Sequence, residues 1–570
     1  MNEMLFTMDH SGKVPSLSGA PVFTTDALGR RLPLPSEAGP LRSDRYVGIF
    51  YFLFINFNAA VYDNTKILEA HPNAEETGDS PPWGPFGHPH FWGEPLYGYY
   101  KITDPWVLRR HAQLLSDAGV DFVVFDTTNT SHYPNIMPII FDTWTELRKA
   151  GDRTPQCVFM VNTDAGQRAQ DIHDSFYGND KWADLWFFWN GKPLMICDPT
   201  EVSDELRYAY TLRKAHWPFT LVNTKNAWHW EAAYPQVYSY VDDPQRPEEV
   251  NVSVGQNLSA DADAHVTVMN WPDARGRHFH DGVLDPNPHA VLSGANFQEQ
   301  WSRALELDPE IVFITGWNEW IARRWDKLGQ TVSEKGLFCD QYNTANSRDA
   351  EMSRGILGDN FYCQMTANIR RFKGMTPMSP ASAPLTIDID GELGQWRGVE
   401  PEYYDHPLET VARDFPGCGG LHYANATGRN DFETFKVARD DDNIYFLATT
   451  RSPLSPQSDD NWMQLLIDSD LNPESGWQGF NLLVRVDLAG TAGVWKWRGK
   501  DWDEWQKIRY AAERTSVQYV VPRDVLPAGS LCFEFKWVDN IELPCDPLDF
   551  YLYGDVAPLG RFRYRYEEST

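Results

Sequence analysis

The sequence is short of basic charge: 50 Lys and Arg stand against 80 Asp and Glu, a formal net charge of −30. A phosphate backbone is gripped through Lys and Arg, so this balance argues against nucleic acid as a partner, and equally against an anionic membrane surface. No apolar run approaches the roughly 20 residues of a membrane-spanning helix. No G-x-G-x-x-G or Walker pattern opens a helix, which weakens a nucleotide-binding open sheet. Seven cysteines (Cys157, Cys197, Cys339, Cys363, Cys418, Cys532 and Cys545) are scattered without a C-x-x-C pair. That spacing suits neither a zinc site nor a dense disulfide framework, and the odd count leaves a free thiol unless chains cross-link. The opening MNEMLFTMDHSGK has neither the basic start nor the apolar core of a signal peptide. As written the chain is expected in the cytoplasm; a secreted or periplasmic protein already trimmed of its signal would read the same.

What the sequence does have is aromatic surface: Phe, Trp and Tyr make up 14% of it, with 23 tryptophans. Large flat side chains suit the apolar faces of sugar rings, and they also fill cores. At 570 residues the chain exceeds one compact core, so two or three domains are expected. Residues 1–44 are rich in Pro, Gly and Ser and read as an extended lead-in.

From residue 45 the texture changes. Apolar runs of strand length recur at 46–54, 120–126, 157–162, 193–197, 219–223, 250–254, 266–269 and 310–316, with helical stretches between them. YSY at 238–240 is an alternative to one of these strands. The clearest helix starts after Asp104 as N-cap, has Pro105 in its first turn and stops at Gly119; 137–151 and 296–307 read similarly. Strands apolar on both faces and alternating with helices indicate a parallel sheet, and about eight of them favour a (β/α)8 barrel over residues 45–372. Residues 373–384, KGMTPMSPASAP, read as a linker. Beyond it the alternation turns to period two, and residues 385–570 are expected to form a β-sandwich. The fold class is thus α/β with an appended β-sandwich.

In such a barrel the chemistry sits where strands end. Asp126 ends VVFD, Asn162 and Asp164 follow CVFM, and the last strand runs into GWNEW with Asn318 and Glu319. Glycosidic cleavage commonly uses two carboxyl groups whose environments separate their pKa values. Glu319, flanked by Trp317 and Trp320, is the leading catalytic candidate, against the alternative of a helix cap; Asp126 and then Asp164 are candidates for its partner. Trp92, Glu94, Trp228, His229, Arg277, His280, Trp317 and Asn318 are expected to contact sugar. His278, His280 and Asp281 are weak as a metal motif. Asp468, Asp470 and Asn472 alternate in IDSDLNPESG and suit either calcium or an Asx-rich turn. No cofactor is expected for catalysis.

The segments YVGIFYF (46–52), HFWGEPLYGYY (90–100), DAGVDFVVFD (117–126) and VFITGWNEW (312–320) resemble glycoside hydrolase families 99 and 71 and the related WbsX-like domains. The resemblance spans roughly residues 45–370 and implies a (β/α)8 fold and action on glycans. Family 99 enzymes are retaining endo-α-mannosidases with two glutamates three positions apart near N-E-W. Glu319 matches the first, whereas the second falls on Ala322, which has no proton to donate. Neither α-mannose specificity nor the retaining course is therefore carried over. IDGELGQW (389–396), VARDDDNIYFLA (437–448) and LLIDSD (465–470) resemble family 9 carbohydrate-binding modules, which implies a β-sandwich, sometimes with calcium, that binds sugar or serves only as structure. The function expected is hydrolysis of O-glycosidic bonds in oligo- or polysaccharides. The alternatives are a glycan-binding protein on a degenerate barrel and a glycan-assembly protein.

Overall fold

The computed structural model describes residues 16–216, 221–529 and 531–568. Its first part is built on a mixed, mostly parallel sheet of β1 (Tyr46–Tyr51), β2 (Phe122–Asp126), β3 (Gln156–Met160), β4 (Lys192–Ile196), β5 (Thr211–His216), β6 (Thr224–Lys225), β7 (Ala227–His229), β8 (Ser239–Tyr240), β9 (Glu249–Ser253) and β10 (Ile311–Thr315). The strands lie in the order β6-β8-β9-β10-β1-β2-β3-β4-β5-β7. The two ends of that path, β6 and β7, follow one another in the chain across Asn226, whose φ is 53°. The sheet therefore curls almost into a ring. Each pairing along this path is parallel except β8 with β9.

Helices α1 (Pro105–Ala118), α2 (Met137–Lys149), α3 (Ala165–Ile172), α4 (Asp204–Ala209), α5 (Ala295–Leu307) and α6 (Asn360–Lys373) belong to the same part of the chain. The local chemistry of α1 follows the sequence reading: the Asp104 side chain accepts from the Trp106 N–H, and Gly119 ends the helix at φ 88°. Alternation along the strands sorts side chains to two sides. Tyr46, Phe50, Phe52, Phe122, Val124, Trp228, Trp230 and Phe313 share the core enclosed by the ring. Val47, Ile49, Val123 and Phe125 belong to the larger core that includes the α1 and α2 faces. Gly48 leaves room for the Phe122 ring, since a Cβ there would lie 2.3 Å from it.

Two of the expected strands are corrected. Phe219 and Thr220 lie outside the described residues, and Leu221 to Asn223 are exposed and not in a strand. Residues 266–269 pass as irregular chain with one isolated bridge at Val266. The ring is completed instead by β5, whose TLRKAH pattern is too polar to read as buried strand, and by the short β6, β7 and β8. Arg213 of β5 is buried because Glu248 takes its guanidinium at 2.5 and 2.7 Å.

Residues 376–388 carry neither helix nor strand. After them come, besides a two-stranded ribbon of Arg413–Pro416 with His422–Asn425, two large antiparallel sheets. One comprises Glu402–Tyr404, Phe432–Arg439, Asn443–Thr450, Ser516–Pro522 and Arg509–Glu513; the other is centred on Gln464–Asp468 and Cys532–Asp539. They face each other through Phe435, Tyr519 and Phe446 on one side and Trp537 and Phe535 on the other. The sandwich packs on α1: Arg413 pairs with Asp104 at 2.8 Å, and His406 sits between Asp117 and Asp152, 3.0 Å from each. The lead-in joins both parts, since Arg370 of α6 donates to the Val22 carbonyl and Phe23 bridges to Arg563.

Candidate active site

Because most strands run the same way, their C-terminal ends deliver side chains to one face. There a cavity of about 340 Å³ is lined by Phe50 in β1 and Phe52 and Phe54 beyond it, Asp126 ending β2 and Thr128 beyond it, Asn162 beyond β3, His216 ending β5, Trp230 beyond β7, and Glu319, Cys339 and Asp340. Phe54, Asn129 and Asp340 also line an adjoining cavity of about 690 Å³ that extends past Tyr133, His88, Ala322 and Trp325.

Glu319 is placed by backbone stitching on both sides of it. Asn318 clasps the Phe52 backbone, its Oδ1 accepting from the Phe52 N–H at 2.8 Å and its Nδ2 donating to the Phe52 carbonyl at 3.2 Å. The Glu319 N–H donates to Asp349, whose other oxygen accepts from Trp92 Nε1 at 2.6 Å. The carboxyl group is 4% exposed. Its Oε2 accepts from Arg348 and, at 2.9 Å, from Gln341 Nε2; Oε1 has no hydrogen bond among the described residues. That oxygen is left for the cavity.

Arg348 is fully buried and lies 4.4 Å from the Trp230 ring centroid. Its guanidinium donates to Glu231 at 2.7 Å and to Glu319, and lies 3.5 Å from Asp340. One cation thus serves two buried carboxyl groups and a third, Asp340, whose side chain is 41% exposed. Burial pushes Glu319 well above the ordinary carboxylate range, and Asp340, Asp349 and Asp126 reinforce this against the pull of Arg348. Burial likewise raises Glu231 to about 7, and its Oε2 is buried without a hydrogen-bond partner among the described residues. Asp126 is raised by burial too, but the Thr128 hydroxyl (2.7 Å) and N–H (3.1 Å) hold its Oδ1 and favour the charged form. Two acids of unlike environment therefore face one cavity, a more protonated Glu319 and a more readily ionised Asp126.

Of the expected site residues, the fold brings Glu319 and Asp126 together and leaves the others out. Asp164 is exposed at φ 49° before α3 and does not line the cavity. Trp228 is packed inside the ring, its Nε1 near Glu248. His229 is buried against Glu249 and His216. Trp92 stacks on Trp320 at 4.6 Å, and Arg277 is buried over Trp92 and Phe361, donating to Ser347 and the Asp349 carbonyl. Trp317 packs on His111 and Tyr362. Glu94 is held by Lys66 and Arg354, and His280 by Asp281 and Asp285. None of these residues, nor Asn318, lines either cavity. Indoles, amides and cations near a strand end look alike in sequence whether they face a cavity or brace its wall.

At Asp468, Asp470 and Asn472 the contacts are those of the Asx-rich turn: Arg563 pairs with the buried Asp468 carboxylate at 2.7 Å, while Asp470 and Asn472 accept from N–H groups of their own turn. The residues that the sequence reading missed are Arg348, Asp340, Gln341 and Glu231. The first three come from a loop after the barrel strands with no periodic signal, and Glu231 lies one step beyond WHW.

No family model matches the chain, and no curated protein matches it. Among solved structures it is similar to the GH99 endo-alpha-mannosidase from Bacteroides thetaiotaomicron in complex with bis-tris-propane, with 14% identity, 57% of this chain and 95% of that chain covered, and a TM-score of 0.31. A second structure of that enzyme gives 13%, 57%, 96% and 0.32. It is also similar to a family 9 carbohydrate-binding module from Caldicellulosiruptor kristjanssonii in complex with glucose, with 16% identity, 29% and 78% covered, and a TM-score of 0.18. At these values an assignment of function rests on the site itself.

Proposed function

We propose that this chain is a glycoside hydrolase that cleaves O-glycosidic bonds in oligo- or polysaccharides on the C-terminal face of a (β/α)8-type barrel. The observation that carries the reading is the buried Glu319 carboxyl group, with one oxygen tied to Arg348 and Gln341 and the other left for a cavity that Asp126 also lines. Burial keeps a proton on Glu319, which suits it to protonate the leaving oxygen; Asp126, with its oxygen held by Thr128, is the charged partner on the sugar side. Phe50, Phe52, Phe54 and Trp230 offer apolar faces to a ring, and Asn162 and His216 offer polar atoms to its hydroxyls. The adjoining cavity past Trp325 gives room for further sugar units.

The test is Glu319→Gln, assayed on aryl glycosides and a panel of polysaccharides with products followed by NMR. Loss of a catalytic acid should lower kcat by on the order of 10²–10⁴ while substrate binding is retained. Near-full activity in Glu319→Gln on a substrate that the unmodified protein cleaves would remove the assignment. A second reading, a glycan-binding protein without turnover, is favoured by the absence of a carboxyl group at Ala322. It predicts binding by the unmodified protein with no product from any glycan of the panel.

A further inference from the structure

The sandwich contains a cluster of acids that the proposed chemistry does not use. Asp405 and Glu409 lie in the loop after the strand Glu402–Tyr404, and Asp555 opens the strand Asp555–Ala557 of the opposite sheet. All three are buried, and one carboxylate oxygen from each lies within 4.8 Å of the other two. Their remaining oxygens are partly engaged: Glu409 Oε1 accepts from Arg110 of α1, and Asp555 Oδ2 accepts from the Phe432 N–H at 2.7 Å.

A second observation points to a ligand. Asp405 Oδ2, Glu409 Oε2 and Asp555 Oδ1 are each buried without a hydrogen-bond partner among the described residues. Leaving one such oxygen dry costs about 1–3 kcal/mol, more when it is charged, so three together need a partner. Apart from those of Arg110, the side-chain hydrogen bonds of the neighbouring cations go to other groups than these carboxylates. His406 lies between Asp117 and Asp152, Lys536 donates to the Pro558 carbonyl, and the Arg451 guanidinium faces Asp431 and Glu433. Among the described residues, Arg110 is the one cation in ion-pair contact with these acids, and it touches Glu409 alone, so Asp405 and Asp555 have no cation at contact distance.

We infer that Asp405, Glu409 and Asp555 bind a divalent, oxygen-seeking cation, calcium by preference. The donors are all carboxylate oxygens, which exclude soft metals. Oxygens around calcium, at about 2.3–2.6 Å from the ion, stand up to roughly 5 Å apart, in keeping with the spacing here. Magnesium holds its waters and suits so dry a pocket less well. The ion would tie the two sheets of the sandwich together, and through Glu409 and Arg110 would brace the face that packs on α1.

The test uses the full chain, stripped with EGTA, dialysed, and reloaded with calcium chloride. Metal analysis should find one tightly held calcium per chain, and at a hundredfold excess over Kd the Tm should rise by about 5–10 °C. Magnesium chloride at the same concentration should give a smaller rise. Asp555→Asn and Asp405→Asn should abolish the calcium response. Asp261→Asn, in an exposed cluster with His265 and Asp273, should leave it intact. Absence of bound calcium together with an unchanged Tm would overturn the inference and leave the three carboxyl groups sharing protons instead. So would a calcium response that survives in both buried variants. If those variants do not fold, the metal content and Tm of the unmodified chain decide.

Discussion

Replacing Glu231 by glutamine isolates the electrostatics of the candidate site without touching a group that lines its cavity. Glu231 is 1% exposed, its Oε1 accepts from Arg348 at 2.7 Å and its Oε2 has no hydrogen-bond partner among the described residues. Burial raises its pKa from 4.5 to about 7 even with Arg348 beside it. A carboxyl group whose folded pKa is raised contributes stability that is fully present below the unfolded value and lost as pH rises through the folded one. The shift from 4.5 to about 7 corresponds to about 3 kcal/mol lost across that window in the unmodified protein. Glutamine keeps an amide oxygen for Arg348 and never ionises, so it does not suffer this loss. The difference in unfolding free energy between Glu231→Gln and the unmodified protein should therefore grow in favour of the variant by about 3 kcal/mol from below pH 4.5 to above pH 7. Denaturant titrations at a series of pH values, followed by tryptophan fluorescence, measure it. A difference that stays flat across this range would show that Glu231 ionises normally, and the picture of one guanidinium shared by too many acids would be wrong.

Other outcomes follow from the same geometry. Asp126→Asn should cut turnover as Glu319→Gln does while leaving affinity for glycan within a few-fold, read as kcat against KM. Asn318→Ala strips two hydrogen bonds from the Phe52 backbone and should cost about 1–3 kcal/mol in denaturant midpoint analysis, with a fall in kcat as Glu319 loses its seat. Trp230→Ala removes a buried ring and the face that covers Arg348, so a loss of about 3–5 kcal/mol is expected in thermal unfolding. His406 feels burial pushing its pKa down, yet Asp117 and Asp152 outweigh this and hold it well above the ordinary histidine value. Its contribution to docking is thus present below pH 6.5 and lost as pH rises through the folded value; proteolysis between the barrel and the sandwich should quicken on the alkaline side, and a His406→Gln variant should lack that dependence.

Much of this was legible in the chain itself. Six of the eight expected strands, the α1 caps at Asp104 and Gly119 and the change to period-two alternation after residue 385 are local patterns, set by which side chains a helix or a strand can bury. That Glu319 and Asp126 come to one cavity was legible as well, because Asp126 ends and Glu319 follows strands whose C-terminal ends meet on one face. The wall residues were not, since Trp92, Arg277 and Trp317 differ from true cavity residues only in the direction they face, and direction comes from packing. Nor could any spacing foretell that Arg348 reaches Glu231 across 117 residues of sequence, or that Asp405 and Glu409 meet Asp555. Periodicity reports what each segment must bury; which charges come to share one dry space is decided only when distant segments close around it.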